Sequence, residues 1–110
     1  RDRHRNQRPY AQKVSEKMAV IAKNHQLLCI THLAQIAAMA DQHYIIEKAG
    51  EQQDRHEIGL LSEEESVQEL ARILGGARIT DTVLESAREM KELAENTKTY
   101  QSWNPSDSTY

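Results

Sequence analysis

Leu27-Leu28-Cys29-Ile30-Thr31-His32-Leu33-Ala34-Gln35-Ile36-Ala37-Ala38-Met39-Ala40-Asp41 is the stretch around which the rest of the chain arranges itself. Leu27 to Thr31 is continuously apolar rather than alternating. That pattern predicts a strand covered on both faces, as in a parallel α/β sheet. Thr31-His32 puts a polar pair at the strand's exit. Leu33 to Ala40 then predicts a short helix of Leu, Ala, Ile and Met, small enough to pack closely on a sheet, and Asp41-Gln42 breaks it. Ligands of α/β proteins gather at the carboxyl ends of their strands, which makes His32 the first candidate functional residue. The plainer alternative is a histidine facing solvent or satisfied in a turn.

On the N-terminal side, Ala11 to Asn24 predicts a helix. Ala11, Val14, Met18, Ile21 and Ala22 recur at helical spacing, and Lys13, Glu16, Lys17 and Lys23 lie mostly opposite. Asn24 suits a left-handed C-terminal position. A helix running into an apolar strand is half of a βαβ unit, and no readable strand precedes it. On the C-terminal side, His43–Lys48 and Arg55–Leu61 read as two strands, with the polar stretch Ala49–Asp54, which contains Gly50, as the turn between them. Ser62-Glu63-Glu64-Glu65 is a capping box opening a helix whose buried face is Val67, Leu70, Ala71, Ile73 and Leu74. Its carboxylates favour the positive end of the helix dipole, so they read as a solvated helix start and not as a carboxylate site. Gly75-Gly76 ends that helix. Thr82-x-x-Glu85 reads as the cap of a last helix with the stripe Val83, Leu84, Ala87, Met90 and Leu93/Ala94. From Thr97 to Tyr110 the chain is rich in Ser, Thr and Asn without a pattern, and a disordered tail is expected.

The 110 residues suffice for one small domain. A single cysteine rules out an internal disulfide and fits a reducing, cytoplasmic setting. No apolar run approaches membrane-spanning length, and neither a signal peptide nor a membrane partner is expected. The net charge of -3 is unevenly spread: residues 1–10 hold four Arg and one Asp, whereas the rest holds ten Lys/Arg and sixteen Asp/Glu. On its face the segment Arg1–Tyr10 is a basic arm, either a solvated end or a contact for nucleic acid. His25, Cys29 and His32 have part of a zinc spacing, but the set is incomplete and spread along a strand whose side chains alternate in direction, so no metal site is expected. Cys29, inside the apolar run, reads as a small packed hydrophobe and not as a nucleophile paired with His32.

Leu28-Cys29-Ile30-Thr31-His32-Leu33-Ala34-Gln35-Ile36-Ala37-Ala38-Met39-Ala40-Asp41 closely resembles the C-terminal segment of the RecN family of bacterial DNA repair proteins, SMC-like members of the ABC ATPase class. Ala11–Met18 resembles that family's helix after the D-loop. Glu69–Gly76 and Thr82–Met90 resemble its two closing helices, so that the likeness covers about residues 11–96. The resemblance implies an α/β fold, the C-terminal fragment of a P-loop NTPase head with a β-hairpin and two closing helices. It implies ATP-dependent, recombinational repair of DNA double-strand breaks, with ATP and Mg2+ in the intact head, a second head in a homodimer, DNA as a partner, and a cytoplasmic, nucleoid-associated setting. His32 would be the switch histidine, both a catalytic and a cofactor-binding residue through the γ-phosphate. The logic is positioning plus charge stabilisation.

The chain departs from the family's pattern in three ways. It has no G-x-x-x-x-G-K-[ST] phosphate loop, no ABC signature segment, and a basic arm where Walker B and the D-loop should stand. The family's run there is close to Asp-Glu-Ile-Asp-Thr-Gly-Ile-Ser-Gly-Arg-Thr. With suitable synonymous codons, reading it in a shifted frame yields Arg1–Tyr10 without a mismatch, and a single-base deletion before Ala11 restores the frame. Residues 1–10 are therefore expected to be a frameshifted Walker B and D-loop, 11–96 the C-terminal lobe of the head and 97–110 a tail. An unshifted reading frame with other codons across the junction would refute this. The isolated chain is expected to bind no ATP or Mg2+ and to need the missing N-terminal half of the head as partner. Two alternatives stand beside it. The helices Ser62–Gly75 and Thr82–Asn96 could form an interaction module docking through their apolar faces, and the Arg arm could bind nucleic acid.

Overall fold

The computed structural model describes residues 2–48 and 56–103, with the side chains of 10–48 and 56–102. The element order is α1 (Asp2–Ala22), α2 (Ala34–Met39), β1 (Tyr44–Lys48), β2 (His56–Leu60), α3 (Glu63–Gly75) and α4 (Asp81–Trp103). Among the described residues no helix is long and apolar enough to cross a membrane.

α3 and α4 form an antiparallel pair. Ser62 caps α3 as its sequence predicts: the Glu65 N–H donates to Ser62 Oγ at 3.2 Å, and the Ser62 N–H donates to Glu65 Oε1 at 2.8 Å. Those hydrogen bonds hold the Glu65 carboxyl below its ordinary value, the backbone one contributing most. Gly76 follows α3 with φ 70°, open to glycine and strained for other residues. Gly75 is needed for a different reason: a Cβ there would come within 3.1 Å of Val83 Cγ1, where α4 starts against the end of α3. At the other end of the pair, Arg88 and Lys91 of α4 reach Glu64 and Glu63 of α3, each at 3.0 Å.

The core lies where α2 meets this pair. Ala34, Ala38 and Met39 pack with Val67, Leu70 and Ala71 of α3 and with Ala87 and Ala94 of α4. Leu70, Ala71 and Ala87 are fully buried. Alanine on all three helices lets their backbones approach closely, and Leu70 fills the space left between them. α1 closes the body through Ala11, Ser15 and Ala19. Ser15 can be buried because its hydroxyl donates to the Gln12 carbonyl at 2.7 Å.

β1 and β2 pair antiparallel, with Tyr44 opposite Leu60 and Ile46 opposite Ile58. These four share one face of the ribbon and are all exposed. Gly59 opposes Ile45 on the other face. The turn expected at 49–54 lies outside the described residues.

Five expectations need correction. Leu27–Thr31 is extended but is no strand, because among the described residues it has no neighbour to pair with; Leu28 is 83% and Ile30 96% exposed. For the same reason Cys29 is exposed and not packed. α1 begins at Asp2 and runs through the basic arm, whose Arg, Gln and His residues tolerate a helix. Its buried face is Ala11, Ser15, Met18/Ala19 and Ala22, so that Val14 and Ile21, expected inside, lie exposed. Asn24 takes no left-handed conformation; the His25 ring instead donates to the Ile21 carbonyl at 3.2 Å and closes the helix end.

α4 departs from expectation at both ends. Its cap is Thr80 and not Thr82: the Val83 N–H donates to Thr80 Oγ1 at 3.2 Å. Starting two residues earlier gives the first turn Asp81, which the helix dipole favours. The helix also continues through Trp103, past the expected start of a tail at Thr97. Its inward stripe carries on in polar residues, Thr97, Lys98 and Gln101. Gln101 Nε2 donates to the Glu16 carbonyl at 3.2 Å, and Lys23 Nζ donates to the Gln101 carbonyl at 2.7 Å, which fastens the end of α4 to α1.

Candidate functional site around His32

His32 sits in the turn that joins the extended segment 26–31 to α2. Thr31 builds this turn: its hydroxyl accepts the Leu33 N–H at 3.0 Å, bridging across His32. The Leu33 carbonyl then accepts the Ala37 N–H at 3.0 Å and starts α2, whose Ala34 and Ala38 are anchored in the core. His32 is therefore held from one side by a rooted helix, with its side chain exposed. Its other side continues into the unpaired apolar run.

Nearby groups have structural duties. His43, half-buried, donates from Nε2 to the Ala37 carbonyl, and its own carbonyl accepts the Leu61 N–H at 2.9 Å. It ties the C-terminal end of α2 to the base of the hairpin. From the sequence His43 is an ordinary strand residue, and its one distinguishing signal is its place just after the end of the predicted helix Leu33–Ala40. Asp41 accepts from Lys98 Nζ at 2.9 Å, and Glu95 accepts from the same ammonium at 2.9 Å. Burial works against the charged Lys98, but the two carboxylates outweigh it and hold its pKa above the ordinary lysine value.

His25, Cys29 and His32 are not brought together. His25 is engaged with Ile21, and the Cys29 thiol lies toward the Ile30 carbonyl. Among the described residues no group of three or more His, Cys, Asp and Glu side chains is arranged to hold a metal ion. The Glu63–Glu65 run serves α3 as cap and as partner of α4. Of the apolar faces through which α3 and α4 are expected, in the alternative reading, to dock on a partner, Val67, Leu70, Ala71, Ala87 and Ala94 are turned into the core, while Leu74 and Leu93 stay exposed.

A triphosphate with Mg2+ needs several converging donors and carboxylates. The described residues supply His32, whose ring makes no hydrogen bond among them, and a six-residue helix beside it. These do not by themselves fit the group.

Curated relatives place the chain. It is 42% identical over 89 residues to the DNA repair protein RecN of Halalkalibacterium halodurans, covering 80% of this chain and 16% of that protein. It is 38% identical over 90 residues to RecN of Bacillus subtilis, covering 81% and 16%. It is 41% identical over 78 residues to RecN of Deinococcus radiodurans, covering 70% and 14%. In each case the match lies in the C-terminal region of the relative, and the chain spans about a sixth of the relatives' length. No protein-family profile matches the chain.

Proposed function

Since the chain belongs to the RecN family, as a counterpart of the C-terminal part of its members, we propose that it works in DNA repair as one piece of an ATP-binding head. The finer reading is an SMC-like, ABC-type P-loop head acting in recombinational repair of double-strand breaks, in the cytoplasm on DNA, with two heads pairing. His32 is its switch histidine, a donor toward the γ-phosphate. The observation that carries the reading is the presentation of His32. A side chain on a turn braced by Thr31 and rooted through Ala34 and Ala38, yet exposed, suits a donor that completes a site built largely by other segments. The alternative of nucleic-acid binding through residues 1–10 predicts a salt-sensitive affinity lost on deleting them.

Alone, the chain neither binds nor hydrolyses ATP appreciably. Co-expression with the N-terminal remainder of H. halodurans RecN, followed by an ATPase assay, tests this. Turnover is expected in the pair only, and His32→Ala lowers it by on the order of 100-fold, the scale for one preorganised donor. Turnover by the isolated chain above its His32→Ala control, or a pair indifferent to that substitution, contradicts the reading.

A further inference from the structure

We propose that His43 is a positioning residue for His32, acting through the backbone of Ala37. The inference rests on the reading of His32 as the switch histidine, and adds a residue that holds it in place. Four hydrogen bonds run in series from the hairpin to the turn that carries His32. The Leu61 N–H donates to the His43 carbonyl at 2.9 Å, and the His43 ring donates from Nε2 to the Ala37 carbonyl. The Ala37 N–H donates to the Leu33 carbonyl at 3.0 Å, and the Leu33 N–H donates to Thr31 Oγ1 at 3.0 Å. Thr31 and Leu33 flank His32, so the series ends on both of its neighbours.

The series matters because α2 has little else to fix its ends. Its 6 residues fall far below the length at which a helix holds by itself. Leu33 at its start offers no side-chain cap, and α2 has no acidic residue in its first turn and no basic residue in its last. At the other end the Ala37 carbonyl takes the Ala40 N–H at 3.2 Å and the His43 ring, which caps the helix. A carbonyl can only accept, so the ring carries a proton on Nε2 and its direction is set. Ala34 and Ala38 turn only methyl groups into the core, which holds α2 close but resists its sliding weakly. His43, itself tied to Leu61, fixes where α2 ends relative to the hairpin. Lys98 does not replace it, because it grips the side chain of Asp41, beyond the helix, and not the helix backbone. His32 is exposed and, among the described residues, is braced from the α2 side alone. What fixes α2 therefore fixes His32.

The test has two arms. In the isolated chain, His43→Gln keeps an N–H donor at the reach of Nε2, whereas His43→Asn leaves it too short. Thr80→Ala, which removes a cap from α4, is the control for stability alone. His43→Asn is expected to speed exchange of the Ala37 amide about tenfold, the scale for one lost hydrogen bond, and to move the His32 ring NMR signals toward those of an unstructured peptide. His43→Gln restores both, and Thr80→Ala changes neither. The proposal is overturned by His32 signals that ignore His43→Asn, that move as far with Thr80→Ala, or that His43→Gln does not restore. In the second arm the chain is co-expressed with the N-terminal remainder of H. halodurans RecN. His43→Asn is expected to lower kcat about tenfold with KM for ATP unchanged, and to have no further effect on a pair that already carries His32→Ala. An equal loss in that background means that His43 does not act through His32, and overturns the proposal while leaving the ATPase reading standing. A pair whose turnover ignores His32→Ala overturns the ATPase reading, and with it any part for His43 in turnover; the brace on His32 is then decided by the isolated chain.

Discussion

Leu70 and Ile30 are residues of similar size and hydrophobicity, one fully buried and the other 96% exposed. The contrast extends to the regions around them. Where α2, α3 and α4 meet, apolar side chains have found partners within the chain, and the contacts are close enough that Gly75 cannot gain a Cβ without meeting Val83. Along the outer row of α1, the 27–31 segment and one face of the hairpin, equally apolar residues lie in the open. Burial here follows neighbours and not residue type. The closed region finds its packing partners within the chain. The open one has the pattern of a sheet without the sheet.

The largest effect separating the two regions is a pair of truncations. Leu70→Ala is expected to cost about 2–5 kcal/mol, because it opens a cavity between three helices. Leu28→Ala should change stability by no more than about 0.5 kcal/mol, since that side chain has little to lose. Chemical denaturation of both variants checks this. A Leu28→Ala loss approaching that of Leu70→Ala would erase the distinction between the regions.

A smaller effect lies at the edge of the closed region. Ser62→Ala should cost about 1 kcal/mol through the lost cap. The same cap has a pH signature. Glu65 is held below its ordinary 4.5, so its contribution is fully present above that value and is lost as pH falls through the lowered native one. Melting followed down the acid range should show this for the natural chain, and Glu65→Gln should flatten that part of the profile. Smaller still is the Lys98 bridge between Asp41 and Glu95, worth about 1 kcal/mol on Lys98→Met. Its native pKa is raised, so its contribution is present below the ordinary 10.5 and fades as pH rises through the native value.

What could be read from the sequence divides along a different line, local signals against long-range partners. The hairpin strands, α3 and the capping box were legible because their signals are local: two strand-like runs on either side of a polar, glycine-containing stretch, a Ser-x-x-Glu box, a terminal glycine pair. The face of α1 was misjudged because Ser15, a polar residue, is buried with its hydroxyl satisfied inside its own helix, while Val14 and Ile21 are not. The end of α4 was missed because its stripe continues in Thr97, Lys98 and Gln101, whose partners are backbone and carboxylate groups far off in sequence. The Thr80 cap competed with an equally good Thr82. For Leu27–Thr31, composition indicated a strand buried on both sides, and strand formation depends on a neighbour that local pattern does not supply. His32 was legible as a candidate from its place after that run. The turn that presents it, closed by the Thr31 hydroxyl, follows from the side chain next to it.

Residue-resolved hydrogen exchange of the isolated chain tests the central contrast most directly. Amides of Leu70, Ala71 and Ala87 are expected to exchange only through global unfolding, with protection equal to the full stability of the chain. Amides 27–31 are expected to exchange within about tenfold of an unstructured peptide, because no backbone partner among the described residues holds them. Protection at 27–31 matching that of α3 and α4 in the monomeric chain would contradict the account.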